Sequence, residues 1–66
     1  MNPLYDVLTN AALSVMAAGG GDLREAETFH LEASFAAPEV FPPGPLADAL
    51  NLVLGAVGDL ARGASV

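Results

Sequence analysis

A chain of 66 residues with no cysteine and a single histidine has few means of holding a fold together. A domain this small buries only about 60% of the surface its unfolded chain exposes. Such domains make up the deficit with disulfides, a metal or a partner subunit. Composition removes disulfides and zinc–thiolate sites, and a metal would need several carboxylates gathered around His30. Association remains, so the sequence reads as one small domain, residues 1–66, packed as an oligomer. Apolar residues make up 53% of the chain, which argues against disorder throughout. Much of that is Ala, so Leu, Val and Phe must supply the core.

Glycine and proline divide the chain into three. Asn2 and Pro3 suit the N-cap and first position of a helix predicted over 3–18. Leu4, Leu8, Ala11 and Val15 form its apolar stripe, widened by Tyr5, Ala12 and Met16. Asp6, Asn10 and Ser14 are expected to face elsewhere, and Leu13, nearly opposite the stripe, marks a second contact face. Gly19, Gly20 and Gly21 read as a flexible linker. Asp22 and Glu25 then have capping-box spacing and open a second helix over 23–37. Pro38 ends it, and the prolines at 38, 42, 43 and 45 predict an extended connector over 38–45, with Val40 and Phe41 as apolar anchors. A third helix over 45–62 carries Leu46, Leu50, Val53, Val57 and Leu60 as a short heptad-like seam, closed by Arg62 and Gly63. Ala49, Leu54 and Ala61 widen it. Gly55 and Gly58 are unfavourable inside this helix. They read either as tolerated surface glycines or as a close helix crossing.

The segment TFHLEASF, residues 28–35, admits two structures. Phe29, Leu31, Ala33 and Phe35 alternate with polar residues, the pattern of a half-buried strand. The cap at Asp22 and the Ala and Glu content favour a helix instead. A strand would lack a partner within the chain and would have to pair with its twin in another subunit. The fold class is therefore all-α with three helices, the alternative being α-β-α with 28–35 as an intersubunit strand. As a helix, the segment buries Leu23, Ala26, His30, Ala33 and Ala37 on one face and needs a second cover for Leu31 and Phe35.

Charge and chemistry narrow the function. Two Arg, no Lys and eight Asp or Glu give a net charge of −6. Nucleic acid and anionic membranes would be repelled, while a basic protein surface would be attracted. No window is apolar over about 18 residues, so no transmembrane span is expected. The N-terminus lacks a basic region, as a signal peptide would have, and the missing cysteine fits a cytoplasmic protein. Ser14, Ser34 and Ser65 are the hydroxyl candidates, and no motif sets His30 beside one of them. Glu27 and His30 form an E-x-x-H pair, the spacing used in carboxylate-bridged metal bundles, whose further ligands would have to come from facing helices. No other cofactor is implied. The expectation is a non-enzymatic, acidic, self-associating interaction or adaptor module. A metal-binding bundle assembled across subunits and a non-catalytic enzyme accessory subunit are the alternatives. Leu13, Phe29, Leu31, Phe35, Val40, Phe41 and Leu52 are the candidate interface residues.

Overall fold

Asp22 sets how the chain doubles back. The computed structural model describes residues 2–63 and folds them into α1 (Pro3–Gly19), α2 (Leu23–Ala36) and α3 (Pro45–Ala61), with a 3-10 turn at Ala37–Glu39 before the last helix. Asn2 caps α1 by accepting from the Leu4 N–H at 3.0 Å. At the far end, the Asp22 N–H donates to the Ala17 carbonyl at 2.9 Å and the Gly21 N–H to that of Ala18 at 3.1 Å. With Gly21 at φ +86° this is a Schellman closure. The glycine run read as a loose linker is thus a hydrogen-bonded turn. The Asp22 carboxylate then accepts from the Glu25 N–H at 3.1 Å and starts α2.

The strand alternative for 28–35 is overturned: these residues lie wholly within α2, and no strand forms among the described residues. A helix satisfies every central backbone group locally, whereas a lone strand does not. The alternation that suggested a strand belongs to a helix with apolar residues on two faces. Ala33 is buried and Phe29 half-buried, while Leu31 and Phe35 face out. The extended connector is also corrected at its start. Ala37 and Val40 are both in the right-handed helical region, and the Val40 N–H closes onto the Ala37 carbonyl at 3.1 Å. The turn carries Val40 and Phe41 back onto the core.

The apolar stripes are rotated from their expected phase. On α1 the buried residues are Val7, Ala11 and Ser14, while Tyr5, Leu8, Ala12, Val15 and Met16 are exposed. On α3 they are Leu50, Leu54, Val57, Gly58 and Ala61, while Leu46 and Val53 face solvent. The cause is the closeness of α1 and α2. Ser14, completely buried, donates its hydroxyl to the Ala26 carbonyl at 2.6 Å. Only a small side chain fits between the helices there, so Ser14 turns inward with Ala11, and the larger Leu8 and Val15 turn away. α3 then packs its Leu50, Leu54 and Val57 against Val7, Ala11, Ala33 and Ala37. The result is a compact slab, 34 × 25 × 13 Å across its Cα atoms. Its thin dimension is about that of two helix layers packed 8–10 Å apart.

Ser14 therefore carries more stability than its polarity suggests. Ser14→Ala is expected to cost about 1 kcal/mol through the lost buried hydrogen bond, lowering Tm by about 4–8 °C. Ser14→Leu, which forces the helices apart, should cost more. Thermal unfolding followed by circular dichroism at fixed protein concentration checks both.

Candidate functional site

His30 links α2 to α3 as Ser14 links α1 to α2, by a side-chain hydrogen bond to a backbone carbonyl. It projects from α2 toward α3, and its Nε2 lies 3.0 Å from the Leu54 carbonyl. A carbonyl oxygen only accepts, so Nε2 carries the proton and donates. Ser34, one turn further along α2, places its Oγ 3.4 Å from the same nitrogen. The sequence contains this pair at helical i, i+4 spacing, although no catalytic motif marks it. Because Nε2 is already a donor to Leu54, it is not free to take the Ser34 proton, and the two do not form a nucleophile–base pair.

Gly58 and Gly55 have opposite reasons for lacking a side chain. A Cβ at Gly58 would lie 2.8 Å from His30 Nε2 and 2.9 Å from Cε1, so glycine leaves room for the imidazole at a close helix crossing. A Cβ at Gly55 would meet nothing within 4 Å. Both glycines open onto a cleft of about 260 Å³ between α2 and α3, lined also by His30, Ser34, Asn51 and Arg62. Arg62, the residue that caps the C-terminus of α3, is engaged with Asp59 at 2.8 Å as an exposed pair. The other cation, Arg24, lends its backbone carbonyl to the Thr28 hydroxyl at 3.1 Å.

Glu27 lies one turn before His30 on α2, with its side chain exposed. Among the described residues no group of three or more His, Asp or Glu side chains is placed to hold a metal ion. Ser14 is buried against Ala26, far in function from any cleft, and Ser65 lies outside the described residues. What the molecule presents is a small helical domain with no assembled catalytic centre among those residues.

The candidate interface residues separate into two groups. Val40 and Phe41 are half-buried against the core, and Phe29 is half-buried on α2. Leu13, Leu31, Phe35 and Leu52 face solvent, Phe35 and Leu52 with 83% and 77% of their surface exposed. The sequence stripes missed a larger exposed set: Tyr5, Leu8, Val15 and Met16 on α1, with Leu46 and Val53 on α3. No helix among the described residues is long and apolar enough to cross a membrane. Neither a family model, nor a curated protein, nor a solved structure matches the chain.

The two glycines are distinguishable by experiment. Gly55→Ala should stabilise the fold by up to about 1 kcal/mol, the helix-propensity gain. Gly58→Ala should gain less, because the new methyl displaces His30 from Leu54. In a His30→Ala background the two substitutions should become equivalent. Urea unfolding of the double-mutant cycle measures the coupling.

Proposed function

We propose that this chain is a non-enzymatic protein–protein interaction module that acts by associating with copies of itself, in a regulatory or adaptor role. One observation carries this reading: its large apolar side chains are mostly outside. Among the described residues the buried apolar core holds only Val7, Leu50, Leu54 and Val57 as side chains larger than Ala, the rest being Ala11, Ala26, Ala33, Ala37 and Ala61. Leu, Met, Tyr and Phe residues on all three helices stand in water. Burying a Leu or Met side chain is worth about 1.5–3 kcal/mol, so a partner that covers several of them supplies what this core lacks.

The chemistry of the clefts agrees with a surface role. His30 is committed to a structural hydrogen bond, and the Arg62 charge to Asp59. A basic protein surface is the second partner that the net charge of −6 suits. The metal-centred bundle around Glu27 and His30 has no observation that favours it over this reading.

Light scattering over a concentration series tests the proposal. The expected mass is twice the 6.7 kDa of the chain, or a higher multiple, and Tm should rise with concentration as for any coupled association. A mass of one chain at every concentration, with a constant Tm, would refute it.

A further inference from the structure

The exposed apolar residues are not scattered evenly. On α3, Leu46, Ala49, Val53, Ala56 and Leu60 recur at three, four, three and four residues. That is an unbroken a/d seam. It lies beside the buried row of Leu50, Leu54, Val57 and Ala61, not within it. Leu46 is 63% exposed and Val53 49%, Ala49 and Ala56 are exposed, and only Leu60 is half-covered. α1 repeats the arrangement: beside its buried Val7, Ala11 and Ser14 run Leu8, Val15, Tyr5 and Met16. In helical phase, these two rows continue outward from the line along which α1 and α3 pack, so they form the two walls of one flank.

We infer that this α1–α3 flank is a homodimer interface, with the α3 seam of one copy packed on the α3 seam of another. The inference rests on the self-association proposed above and names its surface. Area favours this flank. An exposed Leu or Met contributes on the order of 100 Å² and an exposed Tyr somewhat more. The two rows together then present on the order of 800 Å², one partner's share of a stable interface. Leu31 and Phe35, the competing patch on α2, present roughly 300 Å², no more than the apolar patch of an ordinary monomer.

Charge selects a second copy as the occupant. Two chains of net charge −6 repel each other, so contact between copies costs least where neither brings a carboxylate. Neither row contains an acidic or basic residue. Asp6 on α1, and Asp48 and Asp59 on α3, fall at helical positions turned away from them. A basic partner would be drawn to the carboxylates and would find none here. Ala49 and Ala56, between the larger seam residues, let two α3 helices approach closely.

In a two-fold contact the central residue of a seam meets its own copy, and here that residue is Val53. The chain has no cysteine, so Val53→Cys gives a single, unambiguous reporter that changes the side chain little. Under mild oxidation the Val53→Cys chain should form a disulfide-linked dimer in high yield, while Phe35→Cys stays largely uncrosslinked. Val53→Glu, an exposed change that should leave the helical circular dichroism intact, should weaken the dimer by about 100-fold or more, because two carboxylates would be forced together. Phe35→Glu should leave the wild-type mass unchanged. If the wild type is a dimer but Val53→Cys fails to crosslink and Phe35→Glu dissociates it, the flank is wrong and self-association stands. If the wild type is a single chain throughout, both fall.

Discussion

The hydrogen bond from the Ser14 hydroxyl to the Ala26 carbonyl determines which side of this molecule is dry. It requires α1 and α2 to lie close enough for a side-chain oxygen to reach a backbone one at 2.6 Å. That separation admits only small residues, so Ala11, Ser14, Ala26 and Ala33 occupy the contact. Of the larger side chains of α1, Val7 alone is fully buried, while Tyr5, Leu8, Leu13, Val15 and Met16 lie outward. The exposed flank is a consequence of the tight hairpin, not an independent feature.

Much of the architecture was legible because it is written in local chemistry. Asn2 with Pro3, Asp22 with Glu25, Pro45, and Gly63 mark helix ends through capping and dihedral preference, and each helix boundary falls within one residue of its expected place. Stripe phase was not legible in the same way. On α1 and α3 the apolar arc is wider than any single contact, so two equally regular rows coexist and periodicity cannot choose between them. The choice is made by a small polar residue, Ser14, which a hydrophobic pattern discards. At 28–35 the cap and composition pointed to the helix that forms, while the alternation of Phe29, Leu31, Ala33 and Phe35 kept a strand open as the alternative; an isolated apolar residue on a surface carries little information.

The α2–α3 side shows how one side chain shapes a neighbouring helix. His30 reaches the Leu54 carbonyl only because Gly58 leaves room for its ring. Gly55, a turn earlier, widens the same cleft without being required to. The His30–Ser34 spacing was present in the sequence, but the partner of Nε2 lies 24 positions away on another helix. No local pattern reports that, and it is this distant carbonyl that turns a potential base into a structural donor.

Asp22 uses its backbone to finish α1 and its side chain to begin α2. No slack remains between the helices, so their rotational register is fixed by a single residue. One additional residue at that point would turn α2 by about 100° about its own axis. Ala26 and Ala33 would swing away from α1 and bulkier neighbours would take their place. A turn of three glycines and an aspartate, which looks like the most permissive part of the chain, is therefore where its length is least negotiable.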